Sequence, residues 1–381
     1  MIESITYNNL LIVPQTLKSH FGTDFDSREF GVIDINSGDT FKFPALHIRG
    51  PRSVENTENL QSALRISEEY ERLEGNWFYG GICSPHFGHF FSESIHRLKG
   101  YIENQHKYDG LLFLPSPFRG SFDWIENLPS YIKFTFESHF GVDINNIKWI
   151  LEKTVVNKLT VQRQEFSLGN VADKDYVDFL RRISQKYVNT NFTISNYVFS
   201  RANYITMGRC LGLDYIFRSL NGFHVINPEN YSIEQQIENI VNADIIIIEE
   251  GSAIHLLDLI GYTKAKILFI SRRGRNGRYW KKMYQNKCKD FCFFDDVKQI
   301  NHSMLGGPGV LPSLLSLSKI EVFLKDSVDN YEAKLDAKMY YEECSKDLEK
   351  IVNKKKLSEI SGLYIEFEEV FNELNSPVGN F

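Results

Sequence analysis

Residues 243–271 read ADIIIIEEGSAIHLLDLIGYTKAKILFIS. Four isoleucines run into two glutamates and a glycine; a helix-length segment follows, and then a second apolar run. Unbroken β-branched and aromatic residues, as opposed to alternating ones, mark strands covered on both faces, as in a parallel sheet. The pattern extends to either side. NYVFS (196–200) and GFHVINP (222–228) read as strands upstream, and DFCFFD (290–295) as one downstream. Between them, SIEQQIENIVNA (232–243) opens with a serine suited to cap a helix and an acidic first turn, and SAIHLLDLIGY (252–262) begins a helix-like stretch straight after Gly251. Strand and helix alternating at this rhythm predict a doubly wound α/β domain.

The first half is less regular. WFYGGI (77–82), GLLFLP (110–115) and IKWIL (147–151) are strand candidates separated by helix-length segments, which predicts a second α/β domain. A linker is expected within QEFSLGNVADKD (164–175). From Ser313 the pattern turns helical and charged, and YYEECSKDLEKIVNKKKLSEI (340–360) has the close acid–base spacings of a solvated helix. The expected division is 1–168, 169–312 and a helical C-terminal segment 313–381 that partly packs on the body.

A chain of 381 residues suits two domains of ordinary size. Hydrophobic residues at 42% and charged residues at 24% are globular values, so a disordered chain is excluded. The 29 Phe and 19 Tyr supply large cores and are also the residues of sugar- or base-stacking walls. A net charge of -6 argues against a dedicated nucleic-acid binder, whose footprint is basic. Five scattered cysteines make no disulfide framework, and Cys288 with Cys292 lacks the further ligands of a tetrahedral metal site. No apolar run of about 20 residues spans a bilayer, and the first residues lack a basic region, apolar run and cleavage site. The expected location is cytoplasmic, with peripheral contact at the inner face of a membrane as the alternative.

The chemistry concentrates in GGICSPHFGHFFSESIHRLKGY (80–101). A helix starting after Pro85 would put His86, His89, Glu93 and Arg97 near one stripe, while Phe87, Phe90, Phe91, Ile95 and Leu98 cover much of the rest. A polar stripe on a largely buried helix is costly unless its members are paired or face water. Two readings satisfy that condition: an internal salt-bridge and hydrogen-bond network, or a catalytic stripe lining a cleft.

HFGHFFSESIHRL (86–98) resembles the signature of the family-61 glycosyltransferases, and the preceding YGG (79–81) fits as well. Three further motifs follow in the family's order. The Ser-Arg pair that ends a strand, with another Arg beyond, is matched by Ser200, Arg201 and Arg209. The Pro-Glu and downstream Glu-Gln pairs are matched by Pro228, Glu229, Glu234 and Gln235. The strand leading into a Gly-Ser/Ala turn is matched by IIIIEEGSA (245–253). Many members place a histidine before that turn where this chain has Glu250, so that histidine's role is not carried over.

The resemblance implies a GT-B architecture, two Rossmann-like α/β domains facing across a cleft, with the nucleotide-sugar held by the C-terminal one and the acceptor served by the N-terminal one. It implies inversion at the anomeric carbon, no bound metal and no cofactor beyond the nucleotide-sugar substrate, taken as UDP-linked. Such a transfer needs a base for the acceptor hydroxyl and positive charge for the leaving phosphate. Glu93, His89 and His86 are the candidates for the base. Arg201, Arg209, Glu229, Glu250, Gly251 and Ser252 are the donor-side candidates: guanidinium forks for phosphate, Glu229 for the ribose hydroxyls, and helix-opening amides at 251–252. Arg97 is expected to pair with Glu93 or another acid, and His255 and His96 to pack or support the cleft. Asp295–Asp296 has no partner to hold a metal, and SRRGRNGRYWKK (271–282) would meet a charged acceptor, a lipid-linked pyrophosphate, an anionic surface or only solvent. The leading expectation is a capsule or lipopolysaccharide glycosyltransferase with an oligosaccharide or lipid-linked glycan acceptor. Its rivals are a nucleotide-sugar epimerase or hydrolase, and a non-catalytic carbohydrate- or nucleotide-binding subunit.

Overall fold

A computed structural model of the chain describes residues 4–15, 30–35, 48–49, 52–53 and 70–375, less Thr190, Phe192, Arg275, Pro308 and Glu359. It divides into two compact units: residues 1–186 with 255–261, and residues 187–254 with 262–381.

The first unit is built on a six-stranded mixed sheet. Its strands are β1 (Ser4–Val13), β2 (Gly31–Asp34), β5 (Glu71–Cys83), β6 (Gly110–Pro115), β7 (Ile147–Trp149) and β8 (Thr154–Gln162), ordered β2-β1-β8-β5-β6-β7. The short pair β3 (Ile48–Arg49) and β4 (Arg52–Ser53) stands apart from it. β8, β5, β6 and β7 run parallel, whereas β1 is antiparallel to both β2 and β8. The three strands expected in this half are all present. β1, β2 and β8 add to them, so the sheet is mixed and not purely parallel. Leu10, Ile12, Tyr79, Leu112, Leu114, Val156 and Leu159 form one of its core layers. The unit runs past the expected 168/169 division because helix Lys174–Ser184 buries Tyr176, Phe179 and Leu180, with the Tyr176 hydroxyl 2.8 Å from His96 Nδ1.

The second unit carries five parallel strands, β9 (Asn196–Phe199), β10 (His224–Ile226), β11 (Ile245–Glu249), β12 (Thr263–Ile270) and β13 (Cys288–Phe294), ordered β10-β9-β11-β12-β13. Each matches an apolar run read from the sequence. Ile246, Ile247 and Ile248 are at most 3% exposed, each worth roughly 1.5–3 kcal/mol of burial. The order is that of a doubly wound sheet whose direction reverses between β9 and β11, and ligands bind outside the carboxyl ends of strands at such a reversal. Helix Ile233–Asn242 is held by a full capping box between Ser232 and Gln235, which assigns Gln235 a local structural task.

Two expectations change here. The segment after Gly251 is a 3-10 helix, Ser252–Asp258, not an α-helix, and residues 255–261 group with the first unit. A side chain at Gly261 would run into the Val177 carbonyl and come 2.8 Å from Arg181 Cβ, so the backbone lies hard against helix Lys174–Ser184. That contact, and the bond between His139 Nε2 and the Leu259 carbonyl at 3.0 Å, hold residues 259–261 against the first unit. The C-terminal segment is helical as expected: after the strand pair β14 (Val297–Gln299) and β15 (Ser313–Leu315) come helices Leu317–Ser327, Ala337–Lys355 and Ser361–Asn375. They are not a loosely attached tail. Tyr340, Cys344, Leu348, Leu363 and Phe367 are fully buried in one cluster with Val198, Ile247 and Leu268 of the sheet. All five cysteines are free thiols. Among the described residues no helix is long and apolar enough to cross a membrane.

Candidate functional site

Titratable residues gather at the carboxyl end of a parallel strand in each unit. In the first, β5 leads through Ser84 and Pro85 into the segment carrying the histidines. Gly80 and Gly81 are there for room: a Cβ at Gly80 would sit 2.5 Å from the Phe113 ring, and one at Gly81, where φ is +90°, 2.5 Å from Arg97 Nη1. Arg97 is buried, its Nε donating to the Gln162 carbonyl at 2.9 Å and its guanidinium 5.7 Å from the Tyr79 ring centre.

The expected α-helix from Pro85 through Arg97 is instead an α-turn, Phe87–His89, a π-helical stretch, Phe90–Ser94, a turn, and the α-helix Leu98–Ile102. The wider π-turn ends the 3.6-residue period, so His86, His89, Glu93 and Arg97 are not one stripe. His86 precedes the helix as its cap, its Nδ1 accepting from the His89 amide at 3.4 Å. His89 Nδ1 lies 2.6 Å from Glu93 Oε1. The carboxylate side chain is 2% exposed and the imidazole 40% exposed. Phe90 and Phe91 pack with Tyr131 behind this pair, and the Tyr131 hydroxyl donates to the Pro85 carbonyl. A buried carboxylate accepting from Nδ1–H fixes one imidazole tautomer and leaves Nε2 as a proton acceptor. Nε2 has no hydrogen-bond partner among the described residues.

His96 and His255 take packing roles within the first unit: His96 against Tyr176 and Phe166, and His255 with Nδ1 3.2 Å from the fully buried Asp258. Burial, reinforced by Lys186, drives the pKa of His139 down to about 3 despite its bond to the Leu259 carbonyl.

In the second unit, Ser200 and Arg201 leave β9 while Glu249, Glu250 and Gly251 leave its neighbour β11, the two strands between which the sheet reverses. Arg201 lies across Gly251: a Cβ there would be 2.9 Å from the guanidinium carbon and nearer still to Nη1. Its Nη2 donates to the carbonyls of Met207 and Gly208 at 3.3 and 3.2 Å, and its guanidinium stands 4.9 Å from the Tyr204 ring centre. Its Nε is buried without a hydrogen-bond partner among the described residues. Glu229 reaches the same loop, accepting from Asn203 Nδ2 at 2.6 Å.

Arg209 and Glu250 are spoken for internally. Arg209 Nη2 meets Asp214 at 2.9 Å and Asp347 at 3.2 Å, and Nη1 donates to the Ala202 carbonyl at 2.7 Å. Burial works against its charge, but Asp347, Asp214 and Glu249 outweigh it and raise its pKa. Glu250 is 0% exposed and gathers the turn after β12. Oε2 accepts from the amides of Arg272 and Arg273 at 3.1 and 3.2 Å, and Oε1 accepts from Arg273 Nε at 2.6 Å. Burial would raise its pKa; Arg273 and Arg272 overcome that and lower it.

Sequence reading missed Glu249, and it took Arg272 and Arg273 only as part of the basic run 271–282. Glu249 is 2% exposed; burial raises its carboxyl pKa against the pull of Arg201, Arg209 and the Cys210 amide, which donates to it at 2.6 Å. Arg272 is 7% exposed and held by the carbonyls of Glu250 and Gly309. Burial and the neighbouring Arg201 lower its pKa. The basic run therefore splits: its first two arginines belong to this edge, while its last residues, from Gly277, lie in helix Gly277–Tyr284, which buries Trp280 and Met283. The available signal was position, since Arg272 stands one serine past the end of a strand just as Arg201 does. With Arg209 matched by Asp214 and Asp347, and Arg273 by Glu250, two guanidinium groups remain against one buried carboxyl. Such an edge suits an anion. Among the described residues no group of three His, Cys, Asp or Glu side chains converges to hold a metal ion.

Residues 87–260 match the family model described as Glycosyltransferase 61. No curated protein matches the chain. The family match supports a glycosyltransferase, which has a donor and an acceptor substrate. It takes in His89, Glu93, Arg201 and Gly251, and ends before Arg272.

Proposed function

We propose that this chain is an inverting, metal-independent family-61 glycosyltransferase of GT-B type, moving a sugar from a nucleoside-diphosphate sugar, UDP-linked in the first instance, to a carbohydrate acceptor. The observation that carries the reading is Arg201: a guanidinium whose buried Nε has no partner among the described residues, fixed over Gly251 at the reversal of a doubly wound sheet, with a second arginine in its field. Its planar fork suits phosphate oxygens.

In the proposed reaction the acceptor hydroxyl gives its proton to His89 Nε2 while its oxygen bonds to the anomeric carbon. The bond from that carbon to the phosphate oxygen breaks, and its electron pair leaves with the nucleoside diphosphate. Glu93 orients His89 and stabilises the imidazolium that forms; Arg201 and Arg272 receive the charge on the departing phosphate. His86 positions the His89 backbone, Glu229 takes the ribose hydroxyls, and Ser252 borders the phosphates. Arg209 and Glu250 hold the walls of the donor side in the second unit, and Arg97 and His255 support the acceptor side in the first. The acceptor class, a capsule or lipopolysaccharide glycan, and a cytoplasmic place at the inner face of a membrane are proposed on the resemblance alone.

A thermal-shift screen of the full chain against UDP, GDP, CMP and their sugars tests the reading. Stabilisation by one nucleotide is expected, abolished in Arg201→Ala, with sugar transfer that survives EDTA. A folded protein indifferent to every nucleotide would refute it. Donor turnover with no acceptor requirement would favour a hydrolase or epimerase, and EDTA inactivation reversed by Mg²⁺ would remove the metal-free step.

A further inference from the structure

The segment 164–175, expected to be a linker, is not one. Gln164, Glu165, Phe166 and Ser167 are consecutive and at most 7% exposed. They line a cavity of about 360 Å³ within the first unit, together with Asn170 and Asp173. Burying three polar side chains in a loop is costly unless they are satisfied or serve a ligand. All three have partners within the protein: Gln162 Nε2 donates to Glu165 Oε1 at 2.7 Å, Asn170 Nδ2 donates to Ser167 Oγ at 2.7 Å, and Gln164 is engaged as well, so any ligand would share these groups with the loop's own bonds. Lys99 stands only loosely by, 3.9 Å from Glu165. Burial dominates there, and the Glu165 carboxyl is pushed above the usual carboxylate range.

The cavity's place in the sheet gives it a direction. It opens where the chain leaves β8, which runs parallel to β5 with Thr160 beside Phe78, so both strands end on the same edge. The end of β5 feeds the His86–Ser94 segment. Two bonds tie the loop to the residues just beyond that segment: the Glu165 amide to the His96 carbonyl at 2.9 Å, and Arg97 Nε to the Gln162 carbonyl at 2.9 Å.

The lining selects a ligand class. Amide, carboxyl and hydroxyl groups supply both donors and acceptors, Phe166 and Val171 offer two small apolar surfaces, and the cationic Arg163 is offset by Glu165 and Asp173. That is a lining for a neutral, hydroxyl-rich molecule; a phosphate would need an excess of cations, and a lipid an apolar wall. We propose that this cavity is the acceptor subsite, holding a neutral sugar unit of the glycan to be extended. The proposal rests on the glycosyltransferase reading.

The test uses the fluorescently labelled full chain on a printed oligosaccharide array, with the nucleotide thermal shift run in parallel on the same preparations. The wild-type chain is expected to retain neutral glycans. Gln164→Ala and the exposed Asn170→Ala should each weaken retention by about tenfold, the scale of one lost hydrogen bond to a ligand, while leaving the nucleotide response unchanged. Glu165→Gln, which keeps the shape and an acceptor oxygen, should weaken it less than Gln164→Ala. Undiminished retention in both alanine variants overturns the cavity assignment, as does a wild-type chain that responds to nucleotide but retains no neutral glycan; in either case the transferase reading stands. A folded chain that retains no glycan and responds to no nucleotide overturns both.

Discussion

Replacing Gly251 with alanine separates the demands of the fold from those of the proposed donor site. The new methyl carbon would lie 2.9 Å from the Arg201 guanidinium carbon and 3.2 Å from its Cδ. The tightest contact is to Nη1, nearer than either carbon, and relaxed contacts need about 3.5 Å, so the guanidinium must retreat by roughly 1–1.5 Å. The obstructed atoms are the far end of a flexible side chain and Gly251 is not at a left-handed φ, so the backbone can stay. The stability cost should fall at the low end of the overpacking range, about 1 kcal/mol. The donor site should lose more. Retreat breaks the bonds to the Met207 and Gly208 carbonyls and moves a charged fork off its phosphate, a loss of about 1.5–3 kcal/mol and hence roughly 10- to 100-fold in affinity. Titration calorimetry with the nucleotide selected by thermal shift, beside urea denaturation of both proteins, measures the two quantities. Unchanged nucleotide affinity in a Gly251→Ala protein of near-native stability would refute the placement of phosphate at Arg201.

Three further outcomes follow from the same geometry. Glu93→Gln leaves the 2.6 Å contact to His89 sterically intact but offers the ring an amide donor, favouring the tautomer with Nε2 protonated; initial rates of sugar transfer should drop by about 10²–10⁴ with nucleotide affinity unchanged. Glu250→Ala strands the amides of Arg272 and Arg273 and the Arg273 side chain. Because Arg273 is 39% exposed, the cost in urea denaturation should be about 2–3 kcal/mol, short of the full penalty for a buried pair. His139 stays neutral in the folded state down to about pH 3, whereas an unfolded histidine charges near its usual value, so its contribution is present above that usual value and is lost progressively as pH falls from there to about 3. Between pH 7 and pH 5 the wild-type chain should lose about 2 kcal/mol more stability than His139→Gln, as measured by pH-dependent chemical denaturation.

What the sequence disclosed depended on how local the determinant was. The five strands of the second unit were legible because each is an unbroken apolar run, and doubly buried strands leave that mark in their own residues. β1 and β8 were not, because their pairing joins Thr6 to Thr160 and nothing in either stretch names its partner. The pairing of His89 with Glu93 was visible as a four-residue spacing. The π-turn between them and Arg97 was not, since no residue in Phe90–Ser94 carries a local signature for the wider turn, and the contacts of Phe90 and Phe91 with Tyr131 are made across a long stretch of sequence. Arg201 was found through a motif. Glu249 was overlooked, Arg272 was read only as part of a basic run, and Glu250 was assigned to the donor, because their neighbourhood is assembled from the ends of three strands and no local pattern shows the bonds between Glu250 and 271–273.

The route of residues 255–261 has a practical consequence for dissecting the molecule. A protein expressed only to Lys186 would lack the carbonyl that receives His139 and the glycine that beds against Val177. The two lobes are therefore not severable by one cut: a stable amino-terminal piece would need the seven-residue graft 255–261 supplied back to it, by circular permutation or in trans.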